Sequence, residues 1–145
     1  MVKSVANPTY TPVAHPAQPF RTFNEFYPFY LGEHSLRINR IFHLTGTSIA
    51  LACHTRVLLS LIPYIARQLS LRVGPQTFDV LRKLQLSRND ALKIALGGLV
   101  QGYFFAWIGH FVVENNKPAT FKYPVFSLRG DFRMLWEVIS MQRSV

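Results

Sequence analysis

The chain has 145 residues, of which 49% are hydrophobic and 16% are charged, and its formal net charge is +9. Soluble domains carry about 25% charged residues, so this composition favours a small, single-domain integral membrane protein over a soluble enzyme. The basic residues are scattered and lack a nucleic-acid recognition motif, so basic membrane borders explain the charge better. The single cysteine, Cys53, excludes an internal disulfide and a cysteine-based zinc site.

Residues 1–19 are rich in proline, with Pro8, Pro12, Pro16 and Pro19 spaced too closely for a helix. The spacing predicts an extended tail. Tails of this composition are ordered only when something holds them. We therefore expect protein partners to contact residues 1–19.

Residues 20–38 are dense in aromatic side chains. Phe23, Phe26, Tyr27 and Tyr30 recur at spacings of three and four, which predicts one face of a helix. Pro28 lies inside this pattern and predicts a kink or an early first turn. Because aromatic rings favour the border between water and lipid, we expect an amphipathic helix at the membrane interface.

Residues 41–66 form the first candidate transmembrane helix. The run is long enough to cross a bilayer, and Pro63 is expected to kink or end it. Arg56 lies near its middle, so its side chain must face a bundle interior, a polar cavity or a partner. A basic insert follows at 67–90, where a short amphipathic helix is expected and where partner proteins would dock.

Residues 91–113 form the second candidate transmembrane helix. Gly98, Gly102 and Ala106 repeat every four residues in it, and such a ridge of small residues lets another helix approach closely. The predicted fold is an all-α membrane bundle with two main transmembrane helices, 41–66 and 91–113, and interfacial amphipathic helices. Residues 20–145 would form one membrane domain interrupted by the insert at 67–90.

The histidines that lie near the membrane borders are candidates for chemistry. His110 and Glu114 are four residues apart and would share a helix face, either as metal ligands or as a plain hydrogen-bonded pair. His34 and His43 would converge if the chain bends near Asn39. Together the three histidines and Glu114 offer a nitrogen-rich set of ligands suited to ferrous iron or zinc.

Three segments resemble a family of small integral membrane proteins, the 2-hydroxy-fatty-acid dioxygenase-like family. They are FNEFYPFYLGEHS (23–35), NRIFHLTGT (39–47) and GYFFAWIGHFVVENNKPATFKYPVFSLRGDFRM (102–134). Characterised relatives are iron-dependent enzymes of the endoplasmic reticulum that shorten a 2-hydroxy fatty acid by one carbon during α-oxidation. The resemblance implies a non-haem Fe(II) site built from His34, His43 and His110, with Glu114 as a ligand or a supporting group.

The resemblance also implies where the substrate would bind. Arg37 or Arg40 would pair with the carboxylate of the fatty acid, and Phe104 and Trp107 would contact its acyl chain between the helices. The Fe(II) would bind O₂ and the substrate together.

Three features depart from the family pattern: the tail at 1–19, the insert at 67–90, and His54-Thr55-Arg56, which interrupts the first span. They motivate an alternative function, that of a non-catalytic accessory subunit of a large membrane complex. Such a complex would be, for example, a respiratory assembly of the mitochondrial inner membrane. A third possibility is a lipid-binding module without chemistry.

Overall fold

The computed structural model describes residues 5–145, and its regular secondary structure in that range is entirely helical. The prediction of an all-α fold is therefore confirmed. The α-helices in chain order are α1 (Phe23–Gly32), α2 (Arg37–Leu59), α3 (Ile62–Gln68), α4 (Pro75–Leu84), α5 (Arg88–Trp107) and α6 (Pro124–Ile139). A π-helical segment, Ile108–Glu114, continues α5, and a short 3-10 turn, Ala119–Phe121, precedes α6.

The chain forms two compact units. The first comprises Met1–Ser48 and Gly102–Val145, and the second comprises Ile49–Gln101. The first unit contains the histidines of interest, His34, His43 and His110, and the second contains most of the predicted insert.

Within residues 5–145, two helical segments are long and apolar enough to cross a membrane. They are Arg37–Gln68, with 32 residues, and Arg88–Glu114, with 27 residues. Most of their side chains are exposed in the isolated chain, as expected of helices that contact lipid. They agree with the predicted spans, and the expected break near Pro63 is also present, because α2 ends at Leu59 and Pro63 lies in the first turn of α3.

Helix α1 begins at a capped turn and supplies most of the core of the first unit. The side chain of Thr22 accepts a hydrogen bond from the Glu25 backbone N–H at 3.3 Å, which satisfies one free donor of the first turn. The aromatic rings of α1 were expected at a membrane interface, but in the structure they are buried against α6 and the tail. The buried core cluster consists of Tyr10, Phe23, Phe26, Tyr27, Phe29, Tyr30, Leu31 and Met134.

The described part of the tail, residues 5–19, contains no helix, and the C-terminal residues of the same chain contact it. The Arg143 guanidinium donates to the backbone carbonyls of Asn7, at 2.9 Å, and of Ala6. The Tyr10 hydroxyl donates to the Ser144 carbonyl at 2.8 Å. These contacts hold the described part of the tail against the C-terminal residues of the same chain. Residues 1–4 of the predicted tail lie outside the described residues.

A buried ionic cluster joins α1, α6 and the C-terminal residues. The Glu137 carboxylate accepts hydrogen bonds from Tyr27 Oη at 2.8 Å, Arg143 Nε at 2.8 Å and Arg133 Nε at 2.9 Å. Burial raises the pKa of Glu137, but the three hydrogen bonds and the nearby Arg143 charge outweigh burial and hold this pKa below its usual value. Since Glu137 and Arg143 are both buried, each compensates the charge of the other.

The arginine inside the first span has an intramolecular partner in the second unit. Arg56 Nη1 donates to the backbone carbonyl of Leu84 at 2.9 Å. Leu84 is the last residue of α4, where carbonyl groups lack helical partners and cations are favoured. Arg56 therefore caps α4, and its position in the span does not require another protein.

The small residues of α5 lie at close approaches to α2. Within the second unit, a Cβ added at Gly98 would lie 2.8 Å from Cys53 Cβ. Within the first unit, a Cβ added at Gly46 would lie 3.1 Å from the backbone oxygen of Gly102. Ala106 is half-buried. Only small residues permit the helix backbones to come this near at Gly98 and Gly46.

Candidate metal centre

Three buried histidines from three different segments meet in the first unit. His34 follows the C-terminal end of α1, His43 lies in the second turn of α2, and His110 lies in the π-helical segment. The potential ligand atoms of the three side chains all lie within 4.8 Å of one another. Within the described residues, this is the group of side chains that could hold a metal ion.

Each imidazole is fixed by a hydrogen bond at Nδ1. His34 Nδ1 lies 2.6 Å from the Tyr30 carbonyl oxygen, and His43 Nδ1 lies 2.8 Å from Asp131 Oδ1. His110 Nδ1 lies 2.7 Å from Asn116 Oδ1. A backbone carbonyl and an ionised carboxylate are acceptors only. The proton of the neutral ring must therefore be on Nδ1 of His34 and His43, which leaves Nε2 with a free lone pair.

These Nε2 atoms have no partner in the protein. His34 Nε2 and His43 Nε2 are both buried without a hydrogen bond in the described part of the chain. An unpaired buried polar atom is costly, and two of them facing a third histidine need an explanation. Histidines that bind a metal through one nitrogen almost always donate the other N–H to a carboxylate or a carbonyl. His34 and His43 therefore fit a metal ion bound through Nε2, and His110, whose Nδ1 is bonded to Asn116, completes the group of three.

The environment favours a neutral imidazole at His34. Burial lowers the pKa of His34 well below its usual value, and the neighbouring His43 and His110 lower it further. Only a neutral imidazole has a lone pair for a metal. The centroids of the His34 and His43 rings are 4.2 Å apart, and the planes of the two rings are nearly perpendicular, at 87°.

Asp131 of α6 connects two elements at this site. Its Oδ1 accepts from the Tyr30 hydroxyl at 2.5 Å and from His43 Nδ1 at 2.8 Å. Burial, followed by the Asp131 charge, raises the pKa of Tyr30 well above its usual value, so the phenol remains a donor. Gly130 makes room for this contact, because a Cβ added there would lie 2.9 Å from the Tyr30 ring.

Asn116, which follows the second candidate span, contacts His110 through both its backbone and its side chain. Its backbone N–H donates to the His110 carbonyl at 3.0 Å, and its Oδ1 lies 2.7 Å from His110 Nδ1. Its Nδ2 donates to the Glu33 carbonyl at 3.0 Å. Asn115, just before it, has a left-handed backbone with φ of 55°, a conformation that asparagine tolerates better than most residues. The Asn115–Asn116 pair therefore reverses the chain and orients His110.

The second span widens into a π-helix at the site. The widening covers Ile108–Glu114 and includes Gly109 and His110. Single turns of π-helix are rare and occur frequently at functional sites. Gly109 is needed here, because a Cβ at this position would overlap the Asn39 side chain of α2.

Glu114 does not belong to the group of potential metal ligands. Its Oε1 accepts from Ser35 Oγ at 2.5 Å, and its two carboxylate oxygens accept from the Leu36 N–H at 3.2 Å each. Its Oε2 also accepts from Asn39 Nδ2 at 3.1 Å. Glu114 thus lies at the N-terminus of α2, where a carboxylate satisfies free N–H groups and the helix dipole.

Of the four residues expected to bind substrate, one is buried and three are exposed. Arg40 is buried and engaged, because its Nη1 donates to the carbonyls of His34 at 2.7 Å and Ser35 at 2.5 Å. Its guanidinium also lies 3.8 Å from the centroid of the Tyr10 ring. Arg37 is exposed at the first residue of α2, and Phe104 and Trp107 are exposed on α5.

Asp131, Asn116 and Tyr30 support the histidines but were not predicted to do so. Asp131 and Asn116 both lie within the segment 102–134, whose resemblance was noted. The signal that could have found them is chemical: an acidic and an amide side chain follow a span that carries a histidine. Their pairing with particular imidazoles depends on the return of α6 and could not be read from spacing.

Comparison with known proteins identifies a family for the chain. Over residues 20–143 the chain matches the family described as 2-hydroxy-palmitic acid dioxygenase Mpo1-like. No curated protein and no solved structure matches it. The match covers both candidate spans, the three histidines and the residues that orient them. The chain belongs to the Mpo1-like family.

Proposed function

We propose that the protein is an Fe(II)-dependent dioxygenase of an intracellular membrane that shortens 2-hydroxy fatty acids by one carbon. The observation that carries this proposal is the set of three buried histidines, each hydrogen-bonded through Nδ1, of which His34 and His43 have a buried Nε2 without a partner in the described part of the chain. The family description supports the substrate class. The two candidate spans support a lipid substrate, because a fatty acid reaches such a site from the bilayer.

His34, His43 and His110 would hold the iron through Nε2, and Tyr30, Asp131 and Asn116 would keep the three rings in place. When bound, ferrous iron supplies a redox centre with open positions for O₂ and for the 2-hydroxy acid. The protein contributes orientation, because a ring fixed at Nδ1 cannot rotate away from the metal. Burial of the three rings also excludes bulk water from the reacting groups.

The carboxylate of the substrate requires a cation. Arg40 already donates to two carbonyls, so the exposed Arg37, one turn earlier in α2, is the better candidate of the two. Phe104 and Trp107 offer an exposed aromatic surface on α5 for the acyl chain. The family resemblance supports the endoplasmic reticulum as the compartment, with the mitochondrial inner membrane as the alternative.

The test is to purify the full chain in mild detergent, measure its metal content, and follow O₂ consumption with 2-hydroxypalmitate and with palmitate. We expect stoichiometric iron, O₂ uptake only with the 2-hydroxy acid, and release of the acid one carbon shorter. His110→Ala should abolish metal binding and turnover. His54→Ala is the matched control, because His54 binds only the Ala50 carbonyl within α2, and it should retain both.

A chain that binds no metal, and whose behaviour His110→Ala leaves unchanged, would overturn the proposal. Co-purification with a large membrane complex, in the absence of metal, would support the accessory-subunit function instead. The tail contributes less to that alternative than its composition suggested, because its described residues are bound by the C-terminal residues of the same chain.

A further inference from the structure

A second polar site lies in the second unit, away from the histidines in sequence. Helices α3 and α4 pack against each other and enclose a cleft of about 650 Å³. This volume is typical of ligand-binding clefts. Its lining combines two cations with apolar side chains, and the residues that matter here are Arg67, Arg82, Leu71, Val73, Phe78 and Leu81.

The two guanidinium groups of the cleft have no anionic partner. Arg67 and Arg82 are both exposed, and neither forms an ion pair among the residues that the structure describes. The surrounding insert, 67–90, carries five basic and two acidic side chains. The cleft therefore presents excess positive charge that a bound anion would neutralise.

Helix α4 packs against α3, but its apolar face remains largely exposed. None of its residues is buried, although the helix is amphipathic. Phe78 and Val80 are each 58% exposed, and Leu71, just before the helix, is equally so. Arg56 fixes the C-terminal end of α4 by capping Leu84, so the helix is anchored while its apolar face stays open.

The position of the insert in the chain indicates that lipid covers the apolar face of α4. It joins the end of one candidate span, Gln68, to the start of the next, Arg88. A segment that connects two membrane helices lies at one surface of the bilayer. At that depth, aromatic and aliphatic side chains enter the acyl region while arginines meet the phosphate groups.

We propose that the cleft between α3 and α4 binds the head group of an anionic phospholipid. Arg67 and Arg82 pair with its phosphate, whose negative charge is not offset by a cation within the head group. Phe78 and Leu81 contact the glycerol and the upper acyl chain. The site is separate from the metal centre and does not depend on the proposed enzymatic activity.

The experiment compares lipid binding by the full chain in zwitterionic detergent, measured by native mass spectrometry. The probes are phosphatidylglycerol and phosphatidylcholine with the same acyl chains. The test variant is the double substitution Arg67→Gln and Arg82→Gln. The matched control is Arg72→Gln with Lys83→Gln, which removes the same charge from the same insert but at positions outside the cleft lining.

We expect the wild type to prefer phosphatidylglycerol, and the test variant to lose affinity by about fivefold for each charge removed. The control variant should lose clearly less, and both variants should keep the helical circular dichroism of the wild type. Equal loss in the two variants would overturn the cleft and leave only a diffuse basic surface. Equal binding of the two lipids, or full competition by glycerol 3-phosphate, would overturn the phospholipid assignment.

Discussion

Asp131 Oδ1 lies 2.8 Å from His43 Nδ1 and also accepts the Tyr30 hydroxyl at 2.5 Å. One carboxylate oxygen therefore fixes both the tautomer of a candidate ligand and the position of a core phenol. Asp131 comes from α6, whereas His43 is in α2 and Tyr30 is in α1. The orientation of the metal centre thus depends on the packing of the last helix against the first.

Asp131→Asn is expected to weaken metal binding by about 10- to 100-fold, as loss of a carboxylate behind a ligating histidine typically does. The amide is a weaker acceptor and leaves the His43 ring less basic. Titration with Fe(II) under anaerobic conditions measures the affinity. Asp79→Asn, at an exposed position of α4, is the control. An Asp131→Asn protein that is folded and binds metal as tightly as the control would contradict the assigned role.

Glu114→Gln is expected to reduce stability and to leave metal affinity unchanged. Its carboxylate caps α2 through Ser35, Leu36 and Asn39, and loss of hydrogen bonds to a charged group costs about 1–3 kcal/mol. The thermal unfolding midpoint in detergent measures the first effect, and the Fe(II) titration measures the second. If the affinity instead falls as far as in His110→Ala, Glu114 is a metal ligand.

Gly98→Ala is expected to destabilise the second unit, while Gly97→Ala should not. The added methyl at Gly98 would lie 2.8 Å from Cys53 Cβ, but a methyl at Gly97 meets nothing within 4 Å. Alanine otherwise favours a helix over glycine by about 1 kcal/mol, so the two neighbouring substitutions should shift the unfolding midpoint in opposite directions. Adding Cys53→Gly should restore part of the loss, and shifts of the same sign would contradict this packing.

Glu137→Gln is expected to cost about 3–5 kcal/mol, because it leaves the buried Arg143 guanidinium without a compensating charge. Arg133→Gln is the control. It removes the exposed partner of the same carboxylate, and exposed ion pairs contribute at most about 1 kcal/mol. Equal effects of the two substitutions on the unfolding midpoint would show that Arg143 does not depend on Glu137.

The same carboxylate predicts a dependence of stability on pH. Burial raises the pKa of Glu137, and the hydrogen bonds from Arg143, Arg133 and Tyr27 lower it by more, so the folded pKa is below the unfolded one. Its contribution is fully present above the unfolded pKa of about 4.3 and is lost as the pH falls through the folded pKa. The unfolding midpoint of the wild type should therefore fall more steeply below about pH 4.3 than that of Glu137→Gln.

The main helices could be predicted from the sequence because their signals are local. The apolar runs 41–66 and 91–113, and the break near Pro63, follow from composition and backbone geometry alone. His34, His43 and His110 were found because polar residues beside apolar runs are conspicuous and because their segments resemble a known family.

The remaining features depend on contacts between residues distant in sequence. Arg56 finds its acceptor at Leu84, 28 positions away, and Tyr10 finds Ser144, 134 positions away. Nothing near these residues indicates such partners. The aromatic helix was expected at a membrane interface for the same reason, since its periodicity shows that one face is apolar but not whether lipid or α6 covers it.

The order in which the chain is synthesised has a consequence for the metal centre. His34 and His43 leave the ribosome early, but the site also requires His110, Asn116 and finally Asp131. Because synthesis proceeds at about 5–20 residues per second, Asp131 is made about 5–20 seconds after His34 and His43. The centre can form only after the segment Ile108–Glu114 and α6 have been made and folded. A nascent chain halted before α6 would therefore lack the carboxylate that accepts from His43 Nδ1.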